Sequence, residues 1–196
     1  MFPAIRCFLI LCVVLELGGC ATRAFQAQEI AVVPYVAIGE TDVGQGRTVA
    51  ITVVDARPTK VVGRREWALG PSAEITVDPR IAEIVRSTIA NALSEYKFVP
   101  ISTDSDQRMT LDIEIQTIEY SVTQSFTFDM FVQAVFVATA HTGQKVYSRD
   151  YRGEVRESAF IVPDDNLNSR LINQAISLAL ERLVSDVALI KFLASQ

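Results

Sequence analysis

Few side chains in this sequence stand at spacings that chemistry uses. His141 is the sole histidine, so a nucleophilic triad or a histidine-containing metal site would rest on that one residue. Its neighbours His141-Thr142-Gly143-Gln144 read as a hairpin turn,. Gly39 and Gly44 have the spacing of a phosphate-binding loop, but no Lys follows Gly44, and a strand comes next where a helix is needed,. No Gly-x-Ser-x-Gly elbow occurs,. Asp112 and Glu114 project from one strand face about 7 Å apart, within the range of glycosidase carboxylate pairs. The alternation around them makes that face the solvent side, where paired carboxylates are ordinary. The expectation is a protein that is not an enzyme and needs no metal or cofactor.

Charge offers two further candidates. Asp55 and Arg57 are i, i+2 neighbours at a strand end, and form either a structural ion pair or part of a ligand-binding lip. The ion pair is favoured because a strand terminus needs its turn fixed. Beyond them Arg57, Lys60, Arg64 and Arg65 gather near the sole tryptophan, Trp67, in a chain whose formal net charge is -5. Four cations beside a large ring suit anionic headgroups or a partner's acidic face; the alternative is a solvated loop with Trp67 folded onto the domain. The acidic balance excludes nucleic acid as the leading partner.

The remaining chemistry is covalent and lies at the amino terminus. Arg6 precedes an apolar run from Cys7 to Leu17, too short to span a bilayer but of secretory length,. The run ends in Leu17-Gly18-Gly19-Cys20, which is similar to a bacterial lipobox. Cleavage before Cys20 removes Cys7 and Cys12 and leaves one cysteine in an exported chain, an odd number unless the thiol is already used. Acylation uses it; the other reading is a plain cleaved signal or an uncleaved anchor with a chance cysteine. Three acyl chains exceed what stable anchoring requires. Ala21, rather than Asp, follows the cysteine, and by resemblance to Gram-negative lipoproteins this favours outer-membrane sorting with the domain in the periplasm.

The elements that must position these residues divide the chain into a signal peptide (1–19), a lipidated amino terminus with an extended tether (20–46) and one α+β domain (47–196). In the tether, Ile30 to Ile38 is β-prone around Pro34 and suits an edge segment. Val49 to Val54 reads as a buried strand, Thr59 to Pro71 as a turn-rich basic loop, and Glu74 to Val77 as a short strand. Asp78 and Pro79 open a helix whose apolar face runs from Ile81 to Tyr96. Met109, Leu111, Ile113 and Ile115 then alternate with polar residues, and the apolar phase shifts to Ile118, Tyr120 and Val122, which predicts a bulge near Thr117. Strands from Phe126 to Ala138 and through Tyr147, Tyr151 and Val155 complete an antiparallel meander. A closing helix follows from about Asn166 to Leu193, roughly 40 Å long at 1.5 Å per residue. Leu178, Leu189 and Phe192 widen its apolar stripe beyond one packed face, which marks a strip for a partner, a second copy or the membrane.

The combination resembles the YajG-like family of Gram-negative lipoproteins. The residues that carry it are the lipobox, the strand Val53-Val54-Asp55-Ala56-Arg57-Pro58, the helix from Ile81 to Tyr96 followed by Phe98, the strand Leu111-Asp112-Ile113-Glu114-Ile115, and the closing helix. Family members often have Gly before that aromatic, whereas here Lys97 precedes Phe98. The resemblance implies an antiparallel sheet with two helices on one face and brings no catalytic residues. The expected function is a lipid-anchored, non-enzymatic binding or assembly module of the envelope, with an envelope protein or a second copy as partner. The alternative is a lipid- or small-molecule-binding lipoprotein with a cavity between sheet and helices.

Overall fold

A computed structural model describes residues 26–39, 41–65, 72–102 and 109–195. Strict alternation builds the centre of the molecule: β6 (Met109–Gln124), β7 (Phe128–Thr142) and β8 (Lys145–Ala159) form an antiparallel meander. Leu111, Ile113, Met130, Val132, Phe136 and Tyr151 point to the buried side, and the other side is mostly polar apart from Phe131, Val135 and Val137 of β7. The register of β6 on β7 slips between Ile115 and Thr117. This bulge is the one the phase shift predicts, because an extra residue is the only way to keep Ile118 and Tyr120 on the buried side. Gly143 closes the β7–β8 hairpin at φ +59°, where glycine is at ease.

The sheet is mixed rather than antiparallel. β2 (Thr48–Asp55) lies between β5 (Val99–Ser102) and β6 and runs parallel to both, giving the order β5-β2-β6-β7-β8. Parallel neighbours require a crossover, and α1 (Ile81–Glu95) supplies it between β2 and β5 while covering both. A second sheet of three strands has the order β1-β4-β3, from β1 (Gln28–Ile30), β3 (Val61–Arg65) and β4 (Ala73–Val77). It contains a strand inside the segment expected to be a basic loop. Gly63 lets it approach β6: a Cβ there would lie 2.4 Å from the Tyr120 carbonyl oxygen.

Among the described residues the expected two helices are three. α1 begins at Ile81 rather than at Asp78; the Asp78 carboxylate accepts the Arg80 N–H at 2.8 Å in the preceding turn. At its other end Lys97 adopts φ +62°, Lys97 N–H donates to Ser94 O, and Phe98 N–H donates to Leu93 O. This Schellman ending puts a lysine where the family resemblance leads one to expect glycine. The closing helix breaks at Ser185-Asp186 into α2 (Asp165–Val184) and α3 (Val187–Leu193). Asp164 caps α2, accepting the Leu167 N–H at 2.8 Å, and Asp186 caps α3, accepting the Ala188 N–H at 2.9 Å, so each helix starts on a side-chain acceptor.

α2 lies on β7 and β8 so closely that a Cβ at Gly153 would sit 1.9 Å from the Ala175 carbonyl oxygen. Ala134, Ala175 and Ala179 are all fully buried, and small side chains on both sides permit this approach. After β1 the chain runs extended along α2: Val33 N–H donates to Asn173 Oδ1 at 2.6 Å, and Tyr35 N–H donates to Ser177 Oγ at 3.0 Å. The β-prone segment around Pro34 thus lies against the domain, satisfied by helix side chains where a ladder is absent. No described helix is long and apolar enough to cross a membrane.

Candidate functional site

Asp55 ends β2, and the chain turns at once so that Arg57 folds back on it. Arg57 Nε donates to Asp55 Oδ1 and Arg57 Nη2 donates to Asp55 Oδ2, both at 2.8 Å. Lys60 Nζ adds a bond to Oδ2 at 2.6 Å. The Arg57 side chain is buried, and this bidentate fork holds the Asp55 carboxyl well below the usual carboxylate range against the raising effect of burial, with Lys60 assisting,. Between the two readings of this pair, the geometry supports the structural one: both carboxylate oxygens are occupied, and Ala56 N–H donates to Ile115 O beside the β6 bulge.

The other cations of the expected basic patch are also engaged. Arg64 pairs across the hairpin with Glu74 at 3.3 Å. Arg65 turns inward, pairs with Asp165 and donates to Gln28 Oε1 at 2.6 Å. Gln28 Oε1 also accepts from Asn168 Nδ2 at 3.1 Å, and Asn168 Oδ1 accepts the Tyr120 hydroxyl at 2.7 Å. This buried network joins both sheets to the first turns of α2, and burial pushes the Tyr120 phenol up. Trp67 lies outside the described residues, so its expected place beside these cations is not part of the geometry.

Of the expected apolar strip on the closing helix, one residue is turned fully inward and two are half-covered. Leu189 is fully buried. Leu178 and Phe192 are partly buried against the core, and Phe192 lies 5.7 Å from the Tyr147 ring. The break at Ser185-Asp186 re-aims the last turns so that their apolar residues reach β7, whereas a straight helix would have carried them past it. Asp186 itself is a hub that the sequence analysis missed. Its Oδ2 accepts from Tyr147 Oη at 2.7 Å, Tyr151 Oη at 2.8 Å and Arg149 Nη1 at 3.1 Å. Burial alone would raise its pKa, but the two phenols, the Ala188 N–H and Arg149 outweigh it and hold the carboxyl below its usual value. Burial and the bond to Asp186 push the Tyr151 phenol up. The available signal was an Asp between two apolar runs, opposite a Tyr-x-x-x-Tyr strand.

An open depression of about 550 Å³ adjoins this hub, lined by Arg149, Arg152, Arg182, Asp150 and Asp186. Arg152 is paired with Asp150, and Arg182 donates to the Arg152 carbonyl, so only part of its positive charge faces outward. Asp112 and Glu114 lie on the side of the sheet away from the core, and His141, next to last in β7, has Nε2 3.9 Å from Asp112 Oδ2. Among the described residues no group of His, Cys, Asp and Glu is arranged to hold a metal.

The sequence matches the model of an uncharacterised lipoprotein family, Lipoprotein_16, over residues 34–194. The chain belongs to that family. The lipoprotein's fold is similar to that of a Xanthomonas campestris protein of the family DUF330: 12% identity, 87% of this chain and 99% of the other covered, TM-score 0.58. A minor lipoprotein of Acinetobacter baumannii aligns over 76% of this chain and 91% of its own at 8% identity, with a TM-score of 0.46. No curated protein matches the chain. The lipoprotein's Cys20, the residue expected to be acylated, lies outside the described residues.

Proposed function

We propose that the lipoprotein is acylated at Cys20, anchored to the periplasmic side of the outer membrane, and acts there as a non-enzymatic module that binds or helps assemble another envelope component. A YajG-like assignment within the uncharacterised lipoproteins goes with this reading. The observation that carries it is the lipobox Leu17-Gly18-Gly19-Cys20 at the head of a chain that belongs to a lipoprotein family. The charged residues support the non-enzymatic part: Asp55, Arg57, Lys60, Arg64, Arg65 and Asp186 are spent on one another or on neighbouring elements. The cavity alternative needs room between sheet and helices, and at Gly153 the α2 backbone already touches the strand.

With Arg57 and Leu189 buried and Arg65 turned inward, one surface among the described residues that is open to a partner is the outer face of the meander, where Glu114, Glu119 and Glu154 are exposed. Photocrosslinking in intact cells from Glu119 and Glu154 tests this. The expected result is a discrete crosslinked envelope protein from these positions and none from Glu181 on α2. An absence of crosslinks from either outer-face position contradicts the binding part of the reading.

A further inference from the structure

One end of the meander is built unlike the rest of the surface. Phe126 in the β6–β7 hairpin is fully exposed, and Phe160 and Ile161, just beyond β8, are 87% and 78% exposed. The register pairs Phe128 with Ala159, so the hairpin and the end of β8 are neighbours, and the three side chains form a single apolar tip. Large apolar side chains clustered without cover on a monomer mark a contact with something apolar.

The path of the chain says what that is. The segment that leaves Phe160 reaches Asp165 in five residues, at most about 18 Å of chain. There, Gln28 of β1 is bonded to the first turn of α2, donating to the Asp165 carbonyl at 2.8 Å and to Ser169 Oγ at 3.2 Å. Gln28 therefore lies at the start of α2, a short length of chain from the apolar tip, and Cys20 precedes Gln28 by only eight residues, at most about 29 Å,. A bilayer holding acyl chains on Cys20 is within reach of the tip.

We propose that Phe126, Phe160 and Ile161 insert into the lipid surface to which Cys20 is anchored, a reading that rests on the proposed acylation. The acyl chains alone hold the protein through a short tether and leave its orientation free. Aromatic and aliphatic side chains at the interface fix it, standing the meander on end with Val146 and the β7–β8 hairpin pointing away. Asp129 and Asp164 flank the tip, so anionic headgroups are not attracted. The contact is apolar, indifferent to salt, and suited to neutral lipid.

The test uses the mature protein reconstituted into neutral phosphatidylcholine vesicles carrying brominated acyl chains. Phe126→Trp should give a blue-shifted emission quenched at least twofold by the brominated lipid, with wild-type Trp67 emission subtracted, while Val146→Trp at the opposite end should stay unquenched. The unacylated chain should bind these vesicles at least tenfold more weakly after Phe126→Ser, Phe160→Ser and Ile161→Ser together, with no effect of added salt. All three residues are exposed, so folding should survive and is checked by far-ultraviolet circular dichroism. If the acylated protein floats with the vesicles but Phe126→Trp is unquenched, the tip inference is overturned and the anchor stands. If Cys20 is unmodified, the anchor reading fails, and quenching of Phe126→Trp in the unacylated chain still decides the tip. A tip substitution that dissociates a dimer without changing lipid binding also overturns it, in favour of a second copy.

Discussion

The Tyr151 hydroxyl donates to Asp186 Oδ2 at 2.8 Å, tying the third strand of the meander to the break between the two closing helices. Tyr147 and Arg149, four and two residues earlier in β8, reach the same oxygen, and the Ala188 N–H takes the other. One carboxylate thus caps a helix and fixes its angle to the sheet, which is how Leu189 comes to be buried.

Asp186→Ala removes the cap and leaves two phenols without their acceptor, so it should cost about 3 kcal/mol in urea unfolding. The pH dependence follows from direction. Asp55 and Asp186 are both held below their ordinary values in the folded state, so each contributes stability that is complete above the unfolded carboxylate pKa of about 4 and is lost as pH falls through the lower folded value. The wild-type urea midpoint should fall from about pH 5 to pH 2, and Asp186→Asn should flatten part of that fall. An unchanged slope would remove Asp186 from the account.

Gly153→Ala puts a methyl group against the Ala175 carbonyl and the Ala179 amide. Backbone on both sides cannot yield as a side chain can, so the substitution should cost about 3 kcal/mol or more. Gly39→Ala, where nothing lies within 4 Å, should be close to neutral by thermal melt and serves as the control.

Lys97→Gly should stabilise the protein by about 1 kcal/mol, because the residue sits in the left-handed region that only glycine enters without steric cost,. A melt that stays put or falls would mean that the lysine side chain offsets that cost.

Much of this architecture is legible in the sequence. Residues that alternate strictly, such as Leu111 to Ile115, announce their face, and the slip to Ile118 and Tyr120 announces the bulge, because both signals are local. Parallel pairing of β2 with β5 and β6 is not local; it depends on where α1 leaves the chain. β3 escaped because Val61 to Arg65 has two arginines whose partners, Glu74 and Asp165, lie ten and a hundred residues away. The same distance hides the partners of Arg64 and Arg65, which neighbouring residues in the sequence do not reveal. A wide apolar stripe on the closing helix looked like surplus because a helix drawn straight through Asp186 cannot bring Leu189 to the core.

An acylated Cys20 that holds this domain at a membrane is checked by intact-mass analysis of the wild-type protein extracted from membranes. The expected result is a chain that begins at Cys20 and carries a diacylglyceryl thioether with an additional amino-terminal acyl chain, and a Cys20→Ala protein that is released from the membrane. A wild-type protein with an unmodified Cys20, or one that retains residues 1–19, would contradict it.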